Sequence, residues 1–245
     1  MTRPRNRQEG EIEMVSIICC TMRSSYMDNI FNNYERQEFG KKEMIIILNS
    51  DDMDIGLWET KARKYANVSV YQVSEKHKLG RCLNVGITKA KYDIIAKFDD
   101  DDYYAPHYLL EAVDQLKKSD ASIIGKHTTY VYFEQIEALM LYREGREHKY
   151  RNKVKGGTLV FKRSVWDHVK FSERKEFGSD TSFLNRCKRK GYLIYSVSKY
   201  NYVCIRRADI NSHTQKITME ALLAKCTLVS HTHNFVPIIT KKMTS

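Results

Sequence analysis

Four short apolar runs, Val15–Cys20, Met44–Leu48, Val68–Val73 and Ile94–Phe98, punctuate the first 115 or so residues and are separated by segments of helical length. Buried strands alternating with crossovers of that length imply βαβ units: a mostly parallel sheet, right-handed connections and helices on its faces. The expected fold class is α/β. In open sheets of this kind ligands bind beyond the carboxyl ends of the strands. Chemistry is therefore to be sought at Thr21 and Arg23 after the first run, at Asn49–Asp54 after the second and at Asp99–Asp102 after the fourth.

The fourth run ends in four consecutive carboxylates, Asp99, Asp100, Asp101 and Asp102. Adjacent like charges at the edge of a core repel each other unless a cation or a donor-rich ligand neutralises them. Mg²⁺ and Mn²⁺ prefer carboxylate oxygens, and Mg²⁺ commonly takes one or two of them with water and substrate phosphates completing its shell. A metal held for a phosphate ligand is one reading. The other is a solvated acidic turn ahead of a helix, because Pro106 suits a first helical position and Leu109, Leu110, Val113 and Leu116 recur at helical spacing behind it.

At 245 residues the chain has room for one sizeable α/β domain. Its 42% hydrophobic and 29% charged content is that of a soluble globular protein, and no apolar run approaches the length of a bilayer span. Met1–Gly10 is polar with no apolar segment behind its basic start, so a cytoplasmic location is expected. Six cysteines lack metal-ligand spacing, and reduced thiols are expected. The net charge of +11 is compatible with an anionic partner: a nucleotide, an anionic polymer, a membrane surface touched peripherally, or nucleic acid. None of the nucleic-acid module signatures is present, and nucleic acid is not expected as the ligand. Basic residues cluster in Arg143–Lys155 and from Lys170 to Lys190, interspersed with acids that mark most of them as solvated faces.

The second half is less regular. Ala121–Gly125, Thr128–Phe133, Gly156–Phe161, Leu193–Val197 and Tyr200–Ile205 read as strands, and the basic segment 143–155 as a helix or loop. A helix is expected from Asp180 to the stop at Gly191. Beyond His213, Ile217, Leu222, Leu223 and Leu228 follow a helical pattern. The expected organisation is a flexible segment 1–14, one domain 15–215 with a nucleotide-binding half 15–115 and an acceptor half 116–215, and a helical extension 216–245.

The order of these motifs resembles glycosyltransferase family 2. Val15–Arg23 is similar to that family's opening strand and donor-binding turn, and Lys78–Ala90 to its glycine-containing segment with Arg81 and Asn84. Phe98–Tyr103 looks like its metal-binding Asp-x-Asp motif. Gly156–Arg163 with Ser179–Arg186 and Gly191-Tyr192 resembles its acceptor-side half. The likeness covers roughly residues 15 to 215 and extends to bacterial spore-coat maturation transferases, which implies a bacterial, spore-associated chain.

The resemblance implies a GT-A fold, a Rossmann-like, mixed but mostly parallel sheet flanked by helices in a single domain. It implies metal-dependent, inverting transfer from a nucleoside-diphosphate sugar, UDP favoured, to a glycan or surface-polymer acceptor. Asp101 and Asp99 would be the Asp-x-Asp pair holding Mn²⁺ or Mg²⁺, with Asp99 also contacting the nucleoside and Asp100 beside it in the donor site. Asp102 would position a metal-bound water or the donor sugar. His213 would be a further metal ligand, or a turn histidine, and Arg206 or Arg207 would neutralise diphosphate oxygens. Asp180 would be the general base; the same residue also suits a helix N-cap.

The family commonly carries an Asp-Asp-Gly-Ser-like run after the second strand, whereas this chain has Asn49-Ser-Asp51-Asp-Met-Asp54, which puts Asn49 at the base-reading position. Where the family often shows Glu-Asp, this chain shows Ser179-Asp180. Three alternatives stay open, one of them a basic nucleic-acid-binding protein, which would show steeply salt-dependent binding to DNA or RNA. A sugar-phosphate nucleotidyltransferase would want a glycine-rich loop after the first strand, and Cys20–Ser25 holds no glycine. A catalytically silent binding or assembly protein of the same fold is disfavoured by the retained Asp99, Asp101 and Asp180.

Overall fold

The computed structural model describes residues 14–174, 178–209 and 217–242. The first half alternates as expected: β1 (Met14–Thr21), α1 (Met27–Glu35), β2 (Lys41–Leu48), α2 (Ile55–Ala62), β3 (Val68–Gln72), α3 (Leu79–Lys89) and β4 (Ile94–Asp99). These four strands pair with one another in parallel, in the order β3-β2-β1-β4. β1 is central and reads Val-Ser-Ile-Ile-Cys-Cys because both its faces are covered. Ile17 packs with Phe31 of α1 and Trp58 of α2 on one face, and Ile18 with Leu83 of α3 on the other.

The second half continues through β5 (Tyr103–Tyr104), α4 (Tyr108–Lys118), β6 (Ile123–Gly125), β7 (Thr129–Phe133), β8 (Ala138–Tyr142), β9 (Lys149–Tyr150), β10 (Val160–Lys162), α5 (Arg163–His168), α6 (Ser179–Arg189), β11 (Ile194–Ser196) and β12 (Tyr202–Arg206). The chain closes with α7 (Met219–Leu223), β13 (Cys226–His231) and α8 (Val236–Ile239). β10 enters antiparallel beside β4, and β6, β11 and β9 extend the main sheet to eight strands. A second, five-stranded sheet has the order β13-β8-β7-β12-β5.

Several local expectations change. One sheet becomes two, because β7 pairs with β8 on one side and β12 on the other rather than with β6 or β10. The basic segment is irregular apart from β9, and Ala138–Tyr142, unread in the sequence, is a buried strand. Gly156–Thr158 is a 3-10 turn rather than the start of a strand. Helix α4 begins at Tyr108 and not at Pro106. In the tail, Leu228 lies in β13, which pairs antiparallel with β8, so the expected helical extension contributes a strand to the second sheet. No helix among the described residues is long and apolar enough to cross a membrane.

Candidate active site

The parallel register of β1 on β4 sets Cys20 opposite Asp99 and thereby brings the turn after β1 against the acidic loop. Thr21 Oγ1 donates to Asp100 Oδ2 at 2.6 Å. Arg23 Nη2 stands 2.5 Å from Asp100 Oδ1 and 3.1 Å from Asp101 Oδ2. Arg207, just beyond β12, approaches Asp101 Oδ2 at 3.4 Å and donates to the Asp101 carbonyl at 2.9 Å. Both guanidiniums lie on the Tyr26 ring, at 4.3 and 4.6 Å from its centroid. Helix α1 fixes the loop backbone: Asn29 Nδ2 donates to the carbonyls of Asp100 and Asp102, and Asn33 Nδ2 to that of Asp102. Much of the neutralisation demanded by four adjacent carboxylates is thus supplied by the protein's own arginines.

Asp102 is buried, accepts from Tyr202 Oη and takes the Ile205 amide at 3.2 Å. Burial, then the charges of Asp101 and Asp99, push its carboxyl up to about 7. Asp99 receives a hydrogen bond from Lys97 Nζ. The same ammonium stands 3.4 Å from Asp180 Oδ2, at the start of α6. Burial would lower Lys97, but Asp180 and Asp99 outweigh it and hold the ammonium firmly charged. Burial raises Asp180, Lys97 offsets part of that rise and Asp99 adds to it. A carboxyl raised above its ordinary value is a stronger proton acceptor than a free aspartate.

The cap of α6 is Gly178, in a left-handed conformation with φ 72°, and not Asp180. The aspartate is thereby free of the N-cap role the sequence allowed. Its Oδ2 faces Lys97, while its buried Oδ1 has no hydrogen-bond partner. Two glycines make room for the carboxylates. A Cβ on Gly156 would lie 2.1 Å from Asp180 Oδ2, and one on Gly157 would lie 2.5 Å from Asp99 Oδ2 and 3.1 Å from Asp102 Oδ2. This is why the turn ahead of β10 is Gly-Gly: side chains at either position would occupy the space the acids converge on.

Not every residue singled out in the sequence joins this cluster. Asn49 sits at the end of β2, its amide donating to the carbonyls of Val73 and Ser74, and Asp51 accepts from Ser74 Oγ at 3.0 Å. Arg81 pairs with Glu173 at 3.4 Å, not with the acidic loop. Asn84 donates its amide to Phe171 O and Glu173 and accepts from Trp166 Nε1 and the Phe171 amide, which tethers the segment after α5. Arg206 donates to the Ile217 carbonyl. His213 lies outside the described residues. The structure adds Lys97, Gly156 and Gly157 to the site. Lys97 had a signal, since strand alternation puts it on the same side as Asp99 inside an otherwise apolar run.

Among the described residues no three or more His, Cys, Asp or Glu side chains are grouped to hold a metal by themselves. The chemistry of the donors nevertheless fits a hard cation shared with phosphate. Asp99 and Asp101 offer carboxylate oxygens on one loop, and Mg²⁺ needs only one or two from the protein. The side chains of Asp101 and Asp99 are 18% and 34% exposed.

Residues 16–165 match the model of the family described as Glycosyl transferase family 2. The chain belongs to that family. A curated member-like relative, the O-antigen biosynthesis glycosyltransferase WbnJ of Escherichia coli, is 28% identical over 162 residues, and the chain spans 63% of its length. Crystal structures of S. aureus TarS 1-349 have the same fold. The one in complex with UDP-GlcNAc has a TM-score of 0.62 at 16% identity, covering 80% of this chain and 59% of that one. The one in complex with UDP gives 0.62 at 17%, covering 79% and 60%. The GT-A architecture expected of a family 2 chain is thus the one observed, with the acidic loop at the carboxyl end of the central strands.

Proposed function

We propose that this family 2 chain transfers a sugar from a UDP-sugar to a hydroxyl group of a glycan acceptor, with inversion at the anomeric carbon. The observation that carries this reading is the pairing of Asp180 and Asp99 through Lys97. It sets a raised, partly unpartnered carboxyl beside the acidic loop where a donor diphosphate would lie. Asp180 takes the acceptor's hydroxyl proton as that oxygen bonds to the anomeric carbon. The bond from that carbon to the diphosphate oxygen breaks on the opposite face, and UDP departs with its electron pair. Mn²⁺ or Mg²⁺ held by Asp101 and Asp99 would stabilise negative charge on the leaving diphosphate. Arg23 and Arg207 fix Asp101 in place, and Asn49 with Asp51 lines the end of β2 where the base would be read. The TarS complexes with UDP-GlcNAc and UDP support a uridine donor, and the name of WbnJ supports a polysaccharide acceptor.

The test is UDP release from UDP-sugars in the presence of candidate glycans, compared between the wild-type chain and Asp180→Asn. Loss of the base costs about 10²- to 10⁴-fold in turnover with UDP binding retained. Equal turnover in the variant would refute Asp180 as the base.

A further inference from the structure

The basic segment 143–155, read in the sequence as solvated charge, instead walls a groove of about 840 Å³ together with the C-terminal end of α6. Arg143, Arg146, Arg151, Lys153 and Lys188 line it against a single carboxylate, Glu144. Among the described residues none of these five cations forms a salt bridge. The acidic quartet and Asp180 do not line the groove, so it is distinct from the site described above.

The wall is held in place. Buried Thr128 donates to the Arg143 carbonyl at 2.7 Å and accepts the Arg146 amide at 3.0 Å. The His127 ring meets the Lys153 carbonyl at 2.8 Å. Arg143 and His148 adopt left-handed backbone with φ 55° and 50°, a conformation costly for residues other than glycine and retained where the surroundings enforce it. Four cations on this enforced loop, with Lys188 of α6 facing them, repel one another and concentrate anions in the concavity they share.

We propose that this groove binds an anionic stretch of the acceptor, a glycan polymer carrying phosphate or carboxylate groups, and delivers its reacting hydroxyl to Asp180. The proposal rests on the reading of the chain as a glycosyltransferase and names the class of its acceptor. Lys153 lines the groove, and Gly156, three residues on, lies against Asp180. Three extended residues span at most about 10 Å, so a bound polymer reaches the base within a few sugar units. Tyr150 and Tyr192 add rings to the lining, and exposed aromatic faces accept sugar rings. The volume suits a few sugar residues.

The experiment is a titration of the full chain with inorganic polyphosphate, polygalacturonate, neutral dextran and duplex DNA, repeated on Arg146→Gln/Arg151→Gln/Lys153→Gln and on the charge-matched control Lys41→Gln/Arg63→Gln/Lys64→Gln. All six positions lie at the surface or near it. The expected result is binding of polyphosphate or polygalacturonate but not dextran, weakening between about 50 and about 300 mM salt. It should be lost by about tenfold or more in the groove variant only. Preference for one polyanion distinguishes phosphate from carboxylate as the recognised group. Equal binding by the groove variant, no binding of either polyanion, or tighter binding of DNA than of both would overturn the proposal. UDP titration of the same proteins separates the two readings. Wild-type chain that binds polyanion but no UDP contradicts the donor assignment and leaves the groove standing.

Discussion

Lys97 joins Asp180 to the acidic loop: its Nζ lies 3.4 Å from Asp180 Oδ2 while it also hydrogen-bonds Asp99. Lys97 is 3% exposed, so its charge is held in place by those two carboxylates and in turn limits their mutual repulsion. Replacing it with methionine leaves the acids facing each other uncompensated. Removal of one partner from a buried ionic cluster costs about 3–5 kcal/mol, which urea denaturation would register. The pH profile gives the sharper signature. Lys97 lowers Asp180, so its loss raises that carboxyl further, and the rising limb of turnover should move to higher pH. An unmoved limb would show that Lys97 does not act on the base.

The two adjacent glycines should separate catalysis from donor binding. Gly156→Ala drives a methyl group into Asp180 and should lower turnover by about 10²-fold, the order expected of a misplacement near 1 Å, with UDP affinity retained. Gly157→Ala meets Asp99 and Asp102 and should weaken metal-dependent UDP binding itself. Parallel steady-state kinetics and UDP titration of the two variants check this split.

Asp102 sets a pH dependence of opposite sign to that of an ordinary salt-bridged carboxylate. Its folded value of about 7 lies above the ordinary 3.8, so between those values the folded chain keeps a proton that the unfolded chain has released. Its contribution to stability therefore falls as pH rises through that window. In metal-free buffer, urea midpoints measured across the window should decline less steeply in Asp102→Asn than in the wild type. Asparagine retains an oxygen for Tyr202 without the charge.

Asn84 should behave as a structural residue. Asn84→Ala strands the Phe171 amide and the Trp166 indole N–H in a buried setting. A loss of about 1–3 kcal/mol for each donor left unsatisfied is expected, with UDP affinity unchanged. Weaker UDP binding without loss of stability would restore the phosphate role suggested by its place near the start of α3.

The parallel half of the fold was legible because β1, β2 and β4 carry long buried apolar runs, and the acids that follow them stand out against that background. Lys97 shares a strand face with Asp99, but one cation among Ile94, Ile95, Ala96 and Phe98 reads as an interruption until the fold sets Asp180 beside it. Asn84 shows the converse: a polar residue in a motif-like segment whose partners lie more than eighty positions away. Strand β13 was missed because Ile217, Leu222, Leu223 and Leu228 match a helical spacing, whereas pairing with β8 decides the structure of Leu228. The groove was invisible for a related reason, as nothing local to 143–155 shows that Lys188 faces it.

The central claim, a metal-dependent nucleotide-sugar site at the acidic loop, is tested most directly by calorimetric titration of the full chain with UDP, with and without Mn²⁺, beside Asp101→Ala. The account predicts UDP binding that strengthens with Mn²⁺ in the wild type and loses that dependence in the variant. UDP binding indifferent to both Mn²⁺ and Asp101, or no binding at all, would contradict it.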